Sequence, residues 1–206
     1  MKKYFGIMML AVVLLLVFPA WAKEVMAPDI LVDETVQEVM DIIKQDSDIK
    51  SGNKDRILDL VENKILPHFD FTRMTQLAMG KNWAKAASNQ QSQLIEEFRT
   101  LLVRTYSNSL SGYQNEIITV NPINDLGNKT DTMVKTRVNQ GKGRQPVPIN
   151  YSMEKTAEGW KVYDVTVAGV SLVTNYRGSF NSQIRKGGVE GLIKTLTEKN
   201  RSLEGK

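Results

Sequence analysis

The hydrophobic period of this chain changes twice, and that limits the folds open to it more than any single motif does. Up to Gly112 the apolar residues recur at helical spacing, from Val134 to Val167 they largely alternate, and from Val173 the helical spacing returns. Helices, then strands, then helices point to an α+β chain, because a parallel sheet would need strands and helices to alternate. No internal repeat, low-complexity tract or long linker interrupts the pattern.

Val32, Val36, Val39, Met40 and Ile43 share one helical face, whose start is marked by Pro28 and Asp29. Asn53 is placed to cap a second helix carrying Ile57, Leu58, Val61 and Ile65, which Pro67 stops, and Asp70 to cap a third that ends at Gly80. Ser88 and Gln91 have capping-box spacing at the start of a fourth helix, which runs towards Ser111 and Gly112. Its stripe of Leu94, Ile95, Phe98, Leu101, Leu102, Tyr106 and Leu110 is wide enough to make it the central helix.

The period then becomes two. Val134, Thr136 and Val138 alternate with Lys135 and Arg137, and Val147, Ile149, Tyr151 and Met153 alternate with Pro148, Asn150, Ser152 and Glu154. Gly141-Lys142-Gly143-Arg144 reads as the hairpin loop between them, and Glu158-Gly159 as the next turn. The following strand is bulky on both faces, Trp160 and Val162 on one and Tyr163, Val165 and Val167 on the other, so cover on both sides is expected. Val173, Tyr176, Phe180 and Ile184 form the last helical face before Gly187-Gly188 breaks it. Val189, Leu192, Ile193 and Leu196 resume it, and the polar tail after Lys199 is expected to fray.

Lys2 and Lys3 precede an apolar run over residues 7–18 that closes on Ala20-Trp21-Ala22, the order of a secretory leader. The run is shorter than the ~20 residues of a transmembrane helix. The expected organisation is therefore a signal peptide over residues 1–22 and one secreted domain over residues 23–206, starting at Lys23. With no cysteine, neither a disulfide framework nor a lipoprotein thiol is available, so packing must hold the domain together. Of 27 basic and 23 acidic residues, the leader removes Lys2 and Lys3, leaving 25 against 23. That near balance, spread along the chain, argues against a nucleic-acid partner.

Catalytic and metal sites concentrate His, Cys, Asp and Glu, and this chain has one histidine and no thiol. Any hydrolase triad would have to use His68, and no G-x-S-x-G elbow presents a serine. Between Pro67 and Phe69, His68 reads as a packing or hydrogen-bonding group. Zinc sites built from His and Cys are excluded by count. Gly141-x-Gly143 lacks a third glycine and joins two strands, so it is no dinucleotide fingerprint. Asp164 is the one acid inside an apolar strand, where burial could raise its pKa towards base chemistry, yet no nucleophile, metal set or second acid accompanies it. No catalytic residue, metal or cofactor is expected, and the chain does not read as an enzyme.

The runs Gly159-Trp160-Lys161-Val162-Tyr163-Asp164-Val165 and Gly169-Val170-Ser171-Leu172-Val173-Thr174-Asn175-Tyr176-Arg177, followed by Phe180, resemble the signature of the MlaC or toluene-tolerance family. Leu66-Pro67-His68-Phe69-Asp70-Phe71, Met79-Gly80-Lys81-Asn82-Trp83, Phe98-Arg99-x-x-Leu102 ending at Tyr106, and Gly188-Val189-Glu190-Gly191-Leu192-Ile193 fit the same family in the same order. The resemblance spans nearly the whole of residues 23–206. It implies a periplasmic carrier of Gram-negative bacteria, moving phospholipid between an outer-membrane lipoprotein complex and an inner-membrane ABC transporter without cofactor or catalysis. It also implies a twisted antiparallel β-sheet wrapped by N- and C-terminal helices, similar to the nuclear-transport-factor-two-like shape, enclosing an apolar lipid pocket. A related branch associated with hopanoid metabolism leaves another lipid open. A filled core would instead make the chain a non-binding periplasmic adaptor.

Two acyl chains in water cost ~0.8 kcal/mol per methylene, on the order of 20 kcal/mol or more for roughly thirty methylenes. A carrier must therefore offer walls about as apolar as a bilayer. Leu102, Tyr106, Ile149, Tyr151, Val165, Val167, Val173 and Tyr176, from the central helix, the sheet and the C-terminal helix, are the candidate lipid-binding wall. Arg177, next to Tyr176 in the signature, is the candidate partner for a phosphate at the mouth. Periodicity alone does not separate a lined cavity from a filled core at these positions.

Overall fold

The structure, a computed structural model, describes residues 25–113, 116–141 and 143–204. The leader over residues 1–22, the mature start at Lys23, and Lys142 of the hairpin loop lie outside the described residues. Five antiparallel strands form one open sheet in sequence order: β1 (Ile117–Val120), β2 (Asp131–Asn139), β3 (Val147–Thr156), β4 (Gly159–Val167) and β5 (Val170–Ser171). The architecture is α+β. The sequence pattern showed β2, β3 and β4 but not β1 or β5, which have four and two residues and are too short to display a period.

One extra residue in β4 changes which side chains share a face. Opposite β3, Asp164 pairs with Ser152 and Val162 with Met153, so Tyr163 is left over as a β-bulge. Beyond it, Val165 pairs with Tyr151 and Val167 with Ile149. Met153, Tyr151 and Ile149 are two residues apart and share a face of β3, so Val162, Val165 and Val167 share the matching face of β4. Strict alternation had put Val162 opposite Val165 and Val167, and the bulge corrects that. Tyr163 and Asp164 turn the other way, Tyr163 packing against the helical layer and Asp164 bonding to the start of the last helix.

The N-terminal helices cover the Val162 face. Helix α1 (Pro28–Gln45) opens on a proline, and its Asp29 is 8% exposed with Oδ2 accepting from the Ile123 N–H at 2.9 Å. That bond fastens the start of α1 to the loop after β1. The short α2 (Ser47–Lys50) is capped by Asp46, and α3 (Lys54–Leu60) by Asn53, whose side chain accepts from the Arg56 N–H. Beyond Leu60 the chain widens into a π-helical turn (Val61–Ile65) and then tightens into a 3-10 turn (Leu66–His68) that contains Pro67, so the α-helix ends before the expected stop. The segment that follows is pinned to the free edge of β4, where the Asp70 N–H donates to the Val162 carbonyl at 2.9 Å. Asp70 then caps α4 (Phe71–Met79), which ends at Gly80 in a left-handed backbone conformation, φ 53°.

Helix α5 (Ser88–Tyr106) starts one residue away from the expected box. The Ala87 N–H donates to Gln90 Oε1 at 3.1 Å, while the Gln91 side chain donates to the Trp83 and Ala86 carbonyls. A 3-10 turn (Ser107–Gly112) continues it to the expected end at Gly112. Helix α6 (Leu172–Glu204) is kinked at Gly188. It stays helical past Lys199 instead of fraying, because Asn200 is buried and its Nδ2 donates to the Glu97 carbonyl and carboxylate. Arg104 adds a bond to the Asn200 carbonyl at 2.7 Å and an ion pair with Glu204.

Buried side chains gather in three clusters. The first joins α4, α5 and α6 around Phe98, Phe180 and Leu192, with the Phe98 and Phe180 rings edge to face at 5.1 Å. The second joins α1 to the sheet through Val32, Val134, Met153, Trp160 and Val162. The third closes α1 on α2 and α3 through Ile43, Ile49 and Ile57.

Gly188 has φ 67° and ψ −169°, a conformation that side chains beyond glycine rarely adopt. Gly188→Ala is expected to lower stability by about 1–3 kcal/mol in denaturant unfolding. Gly187→Ala, whose backbone is not at positive φ, should change it much less.

Candidate functional site

Between the second and third clusters the side chains do not meet. They line a cavity of about 620 Å³ enclosed by α1, the π and 3-10 turns before α4, the end of α5 and the inner face of the sheet. The sheet contributes Ile149, Tyr151, Met153, Val162, Val165 and Val167, the set that the Tyr163 bulge brings together. Helix α1 contributes Leu31, Val32, Val36, Val39, Met40 and Ile43 from one stripe. Val61 and Ile65 from the π turn and Leu102, Val103 and Tyr106 from α5 complete the wall. Tyr106, Val167 and Val170 are exposed and form an apolar lip where the cavity meets solvent.

Charge is absent from this wall. Among the described residues that line it there is no Asp, Glu, Lys or Arg. His68 is held below its ordinary pKa by burial and by Lys161, which favours the neutral ring. Burial, with Tyr113 nearby, pushes the Tyr151 hydroxyl up to about 12, so it too is neutral. Several lining hydroxyls donate to their own helices: Thr35 to the Leu31 carbonyl at 2.7 Å, Ser107 to Val103 at 2.5 Å and Ser109 to Tyr106 at 2.6 Å. The interior therefore offers an uncharged, apolar surface suited to hydrocarbon.

Six of the nine candidate residues stand on this wall: Leu102, Tyr106, Ile149, Tyr151, Val165 and Val167. The other three lie off it. Val173 is buried in the α4–α5–α6 cluster, and Tyr176 packs against the same cluster with its ring edge on Phe98 at 5.0 Å. Burial, together with Tyr106, pushes the Tyr176 hydroxyl up to about 12. Arg177 points to α4, where its Nε donates to the Leu77 carbonyl at 2.8 Å. The first turns of α6 reach the cavity through Leu172 and Asn175 instead, because the apolar stripe of that helix is used against α5. The α1 wall was legible as an apolar face, but nothing in its spacing distinguished a cavity wall from a core.

A sequence model of the family described as "MlaC protein" matches residues 33–198. The chain belongs to the MlaC family. It is 27% identical over 186 residues to the toluene tolerance protein ttg2D of Pseudomonas putida, covering 89% of this chain and 85% of that protein. To the intermembrane phospholipid transport system binding protein MlaC of Haemophilus influenzae it is 23% identical over 200 residues, 96% of this chain and 93% of the relative. A solved phospholipid-binding protein from Ralstonia solanacearum, in complex with a phospholipid, superposes with a TM-score of 0.78 at 38% identity. The match covers 85% of this chain and 97% of that one.

Asp164, inside the stretch that resembles the MlaC signature, has a structural partner set. Its Oδ2 accepts from Ser171 Oγ at 2.5 Å and its Oδ1 from the Val173 N–H at 3.1 Å, while Ser171 Oγ accepts from the Thr174 N–H at 3.0 Å. The carboxylate and hydroxyl together satisfy the first free N–H groups of α6 and tie that helix to β4. Among the described residues no three His, Cys, Asp or Glu side chains gather as a metal site. Asp164→Ala is expected to cost about 1–2 kcal/mol in denaturant unfolding, and Asp164→Asn less, since one acceptor remains. Both folded variants should retain the wild-type content of extractable lipid. A stable Asp164→Asn protein that has lost its lipid would reassign this residue to the site.

Proposed function

We propose that this chain is a periplasmic carrier that holds the acyl chains of a phospholipid in the cavity between α1 and the sheet. The observation that carries this reading is the uncharged apolar cavity, present in a chain 38% identical to a protein solved with phospholipid bound. The export leader over residues 1–22 delivers a single domain, residues 23–206, to the periplasm. No described helix is long and apolar enough to cross a membrane. The carrier shuttles lipid between an outer-membrane lipoprotein complex and an inner-membrane ABC transporter, and performs no chemistry on it. The wall competes with a bilayer for hydrocarbon on nearly equal terms, so loading and unloading are close to neutral, while escape into water is opposed by ~0.8 kcal/mol per exposed methylene. The head group stays at the lip formed by Tyr106, Val167 and Val170.

Protein secreted by a Gram-negative host and never denatured should yield phospholipid on organic extraction, and native mass spectrometry should show the matching adduct without added cofactor. Extraction that returns no lipid overturns the proposal.

Val165 separates a lined cavity from a filled core. In a filled core Val165→Trp would overpack and cost roughly 1–3 kcal/mol. Here the indole is expected to enter the cavity, leaving the delipidated protein within about 1 kcal/mol of wild type while bound lipid falls severalfold. A variant that unfolds much earlier yet carries its full lipid would remove Val165 from the site.

A further inference from the structure

Residues 71–95, which carry Arg73, Lys81 and Lys85, and residues 165–189, which carry Arg177, Arg185 and Lys186, contain no acidic residue. They are far apart in the chain, and the fold lays one against the other. Arg177 Nε bonds to the Leu77 carbonyl at 2.8 Å, and Asn82 Nδ2 donates to Asn181 Oδ1 at 2.7 Å. Lys85 Nζ donates to Asn82 Oδ1 at 3.1 Å. Arg177, Asn181 and Arg185 follow at four-residue steps along α6, so the cations line up beside the turn that carries Lys81 and Lys85. Arg73 is engaged with Glu154 at 3.7 Å. The other five form no ion pair among the described residues, and all five are exposed. The nearest acid in sequence, Glu190, closes the strip and accepts from Gln90.

We infer that this strip is an electrostatic docking surface for an anionic bilayer. A chain with 27 basic and 23 acidic residues has little net charge to spread, so five exposed cations without ion-pair partners in two apposed stretches are a local concentration of it. Stable protein docking sites centre on exposed aromatic or aliphatic anchors, and none of the exposed large apolar residues lies in either stretch except Val167 and Val170 at the cavity lip, on β4 and β5. A layer of anionic head groups demands no such anchor or shape and attracts each Lys or Arg near the surface additively. The surface holds the protein loosely, since nothing apolar inserts. This inference goes beyond the carrier reading, in which lipid passes between membrane-bound complexes, and the strip is tested without cargo.

Sedimentation of delipidated protein with phosphatidylcholine vesicles, with and without phosphatidylglycerol, tests it. Binding to the anionic vesicles is expected to be stronger by about tenfold or more at low salt and to vanish near ~0.5 M salt. Lys81→Glu, Arg185→Glu and Lys186→Glu combined should abolish the preference; none of the three side chains makes a hydrogen bond or ion pair among the described residues, and circular dichroism checks the fold. The same three positions changed to Gln should weaken it in the same direction. Lys54→Glu, Lys135→Glu and Arg137→Glu combined remove equal charge elsewhere and should leave most of the preference. Equal binding to both vesicle types overturns the inference and turns the strip towards an acidic protein surface. Equal losses in the two charge-reversed proteins would show an effect of net charge alone and also overturn it. Extractable lipid, measured separately on undenatured protein, reports on the carrier reading whichever way the vesicles behave.

Discussion

Tyr163 has no partner across the β3–β4 ladder, and the geometry of the cavity depends on that missing partner. With regular pairing, the bulky residues of β4 would divide between two faces and both would be packed. The bulge rotates the strand by one residue at Tyr163, so Val162, Val165 and Val167 join Met153, Tyr151 and Ile149 on one apolar surface. The same step turns Tyr163 and Asp164 towards the helices, where the tyrosine packs on α4 to α6 and the carboxylate holds the start of α6. One strand thus builds the cavity wall with one face and anchors the supporting layer with the other.

An apolar surface in a small protein normally collapses on its neighbours, because lining atoms without partners forfeit dispersion contacts. Here the elements that could collapse are each held elsewhere. Helix α1 is fixed at its start by the Asp29 bond to Ile123 and further along by Ile43 against Ile49 and Ile57. Helix α5 is held on its far side by Phe98 against Phe180, and at its end by Arg104, Glu97 and Asn200. The chain between α3 and α4 is tied to the edge of β4 through Asp70. The cavity survives because three separately closed clusters frame it, and any hydrocarbon that enters restores contacts the frame forgoes. Occupancy and stability are therefore linked in the proposed carrier.

The parts of this arrangement that follow from local rules were legible in the sequence. Asn53 and Asp70 cap helices where expected, Gly80 ends the second of these, and Gly188 kinks the last helix, whereas Pro67 lies inside a 3-10 turn beyond the α-helix that Asn53 starts. What escaped were features without a local signature. A bulge inserts a residue without changing the composition of a strand, so alternation assigned Val162 to the wrong side of Val165. The helix after Lys199 looked polar and free, yet Asn200 is buried by α5 residues about a hundred positions away. Val173 and Tyr176 had the right chemistry for a cavity wall, but α6 presents Leu172 and Asn175 there and turns the other two to α5. Which face of an amphipathic helix meets which neighbour is decided by tertiary packing, and a single period cannot carry that information.

The lining hydroxyls bear on selectivity. A site that recognises one polar group leaves buried donors and acceptors unpaired when a different group enters, and this penalty is what makes such a site selective. In this cavity Thr35, Ser107 and Ser109 already donate to backbone carbonyls of their own helices. His68 and Tyr151 are held neutral by burial. Few polar groups remain to demand a particular partner, and Arg177, which follows Tyr176 in the signature, is bonded to Leu77 away from the wall. The proposed carrier would therefore select its cargo by hydrocarbon fit and leave the head group largely unread. That choice keeps release easy, since every directional bond made to a head group would have to be broken before the lipid could leave.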